Sequence, residues 1–195
     1  MRKHDDYYSK KAKKENFAAR SVYKLQEIQR KYSLIKKKHK VVDLGCSPGS
    51  WLQYIHGLLN SNGFVLGIDI KETNISLPEN AKIEIANVLE LNPEKILVDY
   101  GNFNGVLSDM APKTTGNKDL DHYGSMELVE KAFEIAKVLL KPNGYFVCKM
   151  FDGEESPEFI KQARKHFNFF KALRVDATKK QSREVFLVGN GYKNI

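Results

Sequence analysis

A glycine turn, two strand-end acids, an asparagine and a lysine set in an apolar run are the residues of this 195-residue chain whose types and spacing could do chemistry. The turn is Val41-Val42-Asp43-Leu44-Gly45-Cys46-Ser47-Pro48-Gly49-Ser50-Trp51, an apolar run that ends in an acid and a glycine and then opens a helix pattern. Such a turn sits at the carboxyl edge of a sheet, where doubly wound folds bind ligands, and the small residues Gly45, Gly49 and Ser50 let a ligand approach the backbone. A dinucleotide fingerprint requires G-x-G-x-x-G with amides free to face a pyrophosphate. Here the pattern is G-x-x-x-G with Pro48 inside, and proline removes one of those amides. Hydride-transfer chemistry is therefore disfavoured, and a cofactor without phosphate fits better.

Asp69 closes the run FVLGID twenty residues past Gly49, where an acid accepts hydrogen bonds from the ribose hydroxyls of an adenosine. An adenosine cofactor without phosphate points to S-adenosylmethionine, with S-adenosylhomocysteine as its product. Blander readings stand beside these. Asp69 could be an ordinary strand-end turn residue, Trp51, the only tryptophan, could be core packing, and Asn87 could meet an adenine edge or simply form a turn. Asp109 ends GVLSD, and Lys149 stands inside FVCKMF, where a lysine without a task would be buried at a cost.

The elements that must position these residues follow from hydrophobic periodicity. Val22, Leu25, Ile28 and Tyr32 recur at helical spacing over 21–32, which puts Lys24 on a neighbouring face. Short apolar runs predict strands at 41–45, 64–69, 83–86, 105–109 and 144–151, with a helix over 51–59 and the longest helix over 123–140. Turn signals are Asn62-Gly63, Leu77-Pro78-Glu79-Asn80 and Lys141-Pro142-Asn143-Gly144. A helix over 157–166 and strands at 169–175 and 184–189 close the chain. Alternating strands and helices imply an α/β fold with a mostly parallel sheet covered on both faces. The last two strands, joined only by DATKKQSR, are expected to pair antiparallel. The length favours a single domain over 1–195, with a basic extension and helix over 1–40 and the catalytic core over 41–195.

Charge is concentrated at one end. Residues 1–40 carry fourteen Lys or Arg against four Asp or Glu, whereas the remainder is slightly acidic, although the whole chain is +8. A solvated lysine-rich tail would look the same, but Tyr7, Tyr8, Phe17 and Tyr23 interleave with the charges, which favours nucleic acid as partner. No run of about 20 apolar residues exists, so no membrane partner is expected, and the start lacks the apolar core of a secretory signal. Cys46 and Cys148 form neither a disulfide framework nor a zinc signature. The expectation is an intracellular, cytoplasmic monomer without a metal; an organelle such as the mitochondrion stays open.

Five segments in order, ARSVYKLQEI (19–28), VVDLGCSPGSW (41–51), LSDMAPKTTG (107–116), FVCKMFDGE (146–154) and SREVFLVG (182–189), resemble the FtsJ/RrmJ ribose 2′-O-methyltransferases over nearly the whole chain. The resemblance implies the S-adenosylmethionine-dependent methyltransferase form of the doubly wound Rossmann-like fold, seven strands with the last inserted antiparallel. It places a catalytic tetrad on Lys24, Asp109, Lys149 and Glu184, and cofactor contacts on Gly49, Trp51, Asp69, Asp109 and position 87. That position is usually aspartate in the bacterial pattern and is Asn87 here. One branch of the family modifies tRNA and another large-subunit ribosomal RNA at a uridine ribose. Met110 in SDMAPKTTG is closer to the ribosomal branch, since the tRNA branch tends to carry glycine there. A catalytically silent RNA-binding assembly factor would keep the fold, but all four tetrad positions are intact.

Methyl transfer to a ribose hydroxyl is an in-line displacement whose difficult partner is the nucleophile, a weak acid that must be aligned and must lose its proton. Two lysines and two carboxylates converging on one point could do both. The expected roles are Lys149 orienting the hydroxyl and taking its proton, Glu184 positioning Lys149, Asp109 lying between cofactor and substrate, and Lys24 holding the hydroxyl or a nearby phosphate.

Overall fold

In the computed structural model the described residues are 3–73, 75–76, 78–178 and 181–195. Leu77 of one expected turn, Lys179 and Lys180 of the last connection, and Met1 and Arg2 of the basic extension lie outside them. Parallel strands β1 (Lys40–Leu44), β2 (Phe64–Asp69), β3 (Ala81–Ile85), β4 (Phe103–Ser108) and β5 (Leu140–Phe151) are joined by β6 (Phe167–Leu173) and β7 (Glu184–Tyr192) in one sheet of order β3-β2-β1-β4-β5-β7-β6. β7 runs antiparallel to both its neighbours, β5 and β6, as the helix-free connection implied.

Burial on both faces explains why the strands read as apolar runs. Along β1, β2, β4, β5 and β7 successive side chains enter two different cores. Val41, Val65, Leu107, Val147 and Phe186 join Leu25 and Ile28 of α2 (Val22–Tyr32) and Trp51, Leu52 and Ile55 of α3 (Ser50–Leu58). Val42, Leu66, Val106, Phe146 and Leu187 instead meet Val129, Ala132 and Ala136 of α5 (Lys118–Leu139). That period-two alternation between two helical layers is the doubly wound arrangement. Lys149 shares a face with Val147, so it points toward the layer that contains α2.

Several boundaries differ from the periodicity reading. The basic segment contains a helix, α1 (Lys3–Lys14), whose buried Ala12 and half-buried Tyr8 pack on Val22, Tyr23 and Ala177. A further helix, α4 (Pro93–Tyr100), was not anticipated, although Asn92 caps it by accepting from the Glu94 and Lys95 amides and Pro93 occupies its first turn. α5 begins at Lys118 rather than at 123, because Asn117 accepts from the Asp119 and Leu120 amides. The Lys141–Gly144 turn lies inside β5 as an irregularity: Leu140 pairs with Phe103 and Tyr145 with Gly105, and the residues between are looped out. α6 (Ser156–Arg164) precedes β6. No described helix is long and apolar enough to cross a membrane.

Candidate active site

β1, β2 and β4 end side by side, and the loops leaving them border a cavity of about 740 Å³. Its size suits a small-molecule cofactor. Gly45 forms one lip at φ +74°, and a Cβ there would collide with the Met110 side chain, so only glycine fits the crossing of the two loops. The Gly45 and Cys46 amides donate to the Ile68 carbonyl at 2.8 and 3.3 Å. The Ser47 amide donates to Asp69 Oδ2 at 2.9 Å. With Pro48 following, three amides of the loop are committed and a fourth is missing, which adds a geometric reason to disfavour a pyrophosphate at this turn.

Asp69 lines the cavity with both carboxylate oxygens anchored, Oδ2 by Ser47 and Oδ1 by the Lys71 amide at 2.8 Å. Each oxygen retains a lone pair for a ligand hydroxyl. Asn87 also lines it, but its side chain caps the helical turn Val88–Glu90: Oδ1 accepts from the Leu89 amide at 3.1 Å and Nδ2 donates to Glu90 at 2.8 Å. Asn87 thus serves as a turn residue in the wall of the cavity.

The remaining expected cofactor residues lie elsewhere. Gly49 is buried at the start of α3 with φ +108°, where a Cβ would come within 2.6 Å of Ile75. It shapes the turn and does not border the cavity. Trp51 is buried against Phe186, and its indole donates to the Ser21 carbonyl at 3.0 Å. Ser50 is buried too, with Oγ 3.0 Å from Ser21 Oγ. Ser50 and Trp51 border a narrow cleft of about 40 Å³ beside the main cavity, and Gly45 and Asp109 belong to both spaces.

At Asp109 the cavity meets a cluster of four charged side chains. Lys149, 7% exposed on β5, places Nζ 3.1 Å from Asp109 Oδ1 and donates to the Asp109 carbonyl. Lys24 Nζ donates to Glu184 Oε2 at 2.9 Å and stands 3.6 Å from Asp109 Oδ1. Glu184, 8% exposed, accepts from the Thr178 hydroxyl at 3.0 Å. The charges alternate, Lys149, Asp109, Lys24, Glu184, and sum to zero when all four are ionised, which is how a buried ionic cluster avoids an uncompensated charge. Glu184 therefore pairs with Lys24, whereas it was expected to position Lys149. The register explains this: β5 and β7 align Lys149 with Phe186 and Phe151 with Glu184, leaving Lys149 and Glu184 as diagonal neighbours about 7–8 Å apart. Asp109 fills the position beside Lys149.

Three residues at this edge escaped the sequence reading. Asp43, the acid that ends VVDLG, is 1% exposed, borders the narrow cleft, and has one carboxylate oxygen without a hydrogen-bond partner among the described residues. Burial, then the charges of Asp109 and Asp69, push its carboxyl well above the usual range. His122, buried on α5, donates from Nδ1 to the Phe151 carbonyl at 2.7 Å and meets the Glu155 carboxylate through Nε2. Asp121 beside it accepts from the Thr115 and Gly116 amides. The start of α5 thus ties together the loops that leave β4 and β5. Asp43 stood in plain view beside the glycine turn, whereas a His two turns from any motif gives no signal.

Cys46 and Cys148 are buried and free, and burial pushes the Cys148 thiol up to about 12, away from the reactive thiolate. Among the described residues no group of three or more His, Cys, Asp or Glu side chains could hold a metal ion.

Comparison with known proteins identifies the family. The family model described as FtsJ-like methyltransferase matches residues 17–192. A Bdellovibrio bacteriovorus protein named ribosomal RNA large subunit methyltransferase E is 44% identical over 187 residues, 94% of this chain and 95% of that protein. A protein of the same name from Desulfatibacillum aliphaticivorans is 43% identical over 184 residues, 94% and 89% of the two chains. Among solved structures, a Plasmodium falciparum chain described as a ribosomal RNA methyltransferase superposes with a TM-score of 0.77 at 26% identity, covering 90% of this chain and 98% of that one.

Proposed function

The chain belongs to the FtsJ-like methyltransferase family, and from that premise we propose that it transfers a methyl group from S-adenosylmethionine to a ribose 2′-hydroxyl of large-subunit ribosomal RNA. The observation that carries this reading is the junction at Asp109, which borders the cofactor-sized cavity on one side and both lysines on the other.

The cavity fits the cofactor by its donor set. Asp69 presents two anchored carboxylate oxygens to the ribose of an adenosine, Asn87 and the residues after it face the adenine, and Gly45 leaves room where a Cβ could not stand. S-adenosylmethionine held there supplies a methyl carbon activated by a sulfonium, a leaving group that needs no acid. The chain's own residues attend to the hydroxyl. Lys149 Nζ, held by Asp109, orients the hydroxyl oxygen; having given one ammonium proton to water, it takes the hydroxyl proton as the amine while the oxygen–carbon bond forms and the methyl carbon parts from sulfur, and so returns to the ammonium. Lys24, held by Glu184, stabilises the negative charge that develops on that oxygen or holds an adjacent phosphate. Cross-bracing by the two carboxylates keeps both lysine side chains in place before substrate arrives, so little alignment remains to be achieved during reaction.

Homologues named for ribosomal RNA support that substrate, as does the basic N-terminal segment. The test is to map 2′-O-methyl groups in large-subunit RNA with and without the gene. One site should be lost on removal, restored by the wild-type chain and not by Lys149→Ala. An unchanged large-subunit map, with a loss in tRNA instead, would overturn the substrate assignment.

A further inference from the structure

Beside the charged cluster, α1, α2 and the turn after β6 enclose a second cleft, of about 380 Å³, which neither the cofactor cavity nor the proposed methyl transfer uses. Tyrosines make its walls: the Tyr8 and Tyr23 rings lie 5.3 Å apart, and Tyr8 is partly exposed. Lys11 Nζ stands 4.6 Å above the Tyr23 ring, and Arg30 lies at the rim. Glu27 faces them and accepts from the Asp176 amide at 2.8 Å, which joins α2 to the turn after β6.

Two cations and two carboxylates, Lys11 and Arg30 with Glu27 and Asp176, balance within the cleft, although residues 1–40 as a whole carry a large positive excess. The surrounding lysines suit phosphates. The cleft suits an uncharged flat group with donors and acceptors on its edge, and a base stacked on an aromatic face is how single-stranded nucleic acid is commonly gripped. Both walls run directly into the catalytic cluster. Glu27 lies three residues from Lys24 on α2, about 4.5 Å along the helix axis, and Asp176 lies two residues from Thr178, whose hydroxyl holds Glu184 at 3.0 Å.

We infer that this cleft receives an unpaired base of the RNA, one that flanks the nucleotide whose ribose is methylated; the inference rests on the RNA methyl-transfer reading above. Tyr8 then acts as a stacking platform that sets which stretch of strand reaches Lys24 and Lys149.

Steady-state methyl transfer to large-subunit RNA from cells lacking the gene tests it with two variants. Tyr8→Leu keeps a large apolar side chain against Tyr23 but removes the aromatic face; Tyr8→Phe keeps the face. Tyr8→Leu should raise the KM for RNA at least about fivefold, the low end of what a base–aromatic stack contributes, with kcat and cofactor affinity within about twofold. Tyr8→Phe should behave as wild type. RNA carrying 4-thiouridine should crosslink to the peptide that contains Tyr8 or the one that contains Tyr23, and this decides the matter if Tyr8→Leu does not fold. An unchanged KM in Tyr8→Leu, an equal loss in both variants, or crosslinks confined to other peptides would overturn the cleft assignment while leaving methyl transfer standing. Wild-type protein that methylates no RNA would overturn both.

Discussion

The cavity and the charged cluster meet at Asp109 but are built by different means. Loops leaving neighbouring parallel strands make the cavity, and its binding groups are presented by backbone: amides anchor Asp69, and a glycine opens the lip. Regular elements carry three of the cluster's four residues, Lys24 on α2, Lys149 on β5 and Glu184 on β7, and ion pairs between side chains are its main links. The first is what a doubly wound sheet offers wherever its strands end. The second depends on which residues this chain places on one face of β5 and β7, and on α2 being laid across that face. If the cavity holds the cofactor and the cluster carries the chemistry, as proposed, the two should be separable by mutation, and the difference between the regions can be broken or sharpened by experiment.

Lys149→Ala should have the largest effect. Loss of a positioned proton acceptor lowers kcat by roughly 10²- to 10⁴-fold, while the Kd for S-adenosylmethionine, measured by calorimetry, stays within a few-fold. A comparable loss of cofactor affinity would show that the two regions act as one. Asp69→Ala should give the opposite signature. Hydrogen bonds to a charged group contribute about 1.5–3 kcal/mol, so cofactor affinity should weaken roughly 10- to 100-fold, with kcat at saturating cofactor largely retained.

His122→Ala probes the brace between the regions. Removing the ring strands the Phe151 carbonyl, while the half-exposed Glu155 carboxylate can turn to water, and should cost about 1–3 kcal/mol of stability, read by urea denaturation, with a modest fall in kcat. Asp43→Asn should have the smallest effect on stability and a readable pH dependence. The native carboxyl of Asp43 titrates well above its unfolded value, so between those two values the folded state binds the extra proton and stability falls as pH rises. An amide that does not titrate should flatten that fall, leaving the variant no less stable than wild type at neutral pH.

The same contrast governs what could be read from sequence. β1, β2 and β4 are buried on both faces and so appear as apolar runs ending at informative residues; Gly45, Asp69 and Asp109 were legible because the chain places them at strand ends. Helix α1 was not legible, since its contact with the body rests on Ala12 and Tyr8 amid lysines. α4 carried an Asn92-Pro93-Glu94 start signal that a reading by hydrophobic period passes over. Lys24 and Glu184 are 160 residues apart and touch only because α2 crosses β7; no spacing rule reaches that far, and only the resemblance singled them out. Resemblance in turn supplied positions without contacts, so the pairing of Glu184 with Lys24 emerged from the strand register.

The most direct test of the central claim is chemical. Wild-type protein and Lys149→Ala are each incubated with methyl-labelled S-adenosylmethionine and large-subunit RNA from cells lacking the gene, and the RNA is then hydrolysed in alkali, which cannot cleave beside a methylated 2′-oxygen. The label should appear in alkali-stable dinucleotides with the wild type and be absent with the variant. Label in mononucleotides, or equal incorporation by Lys149→Ala, would contradict a ribose 2′-O-methyltransferase that works through Lys149.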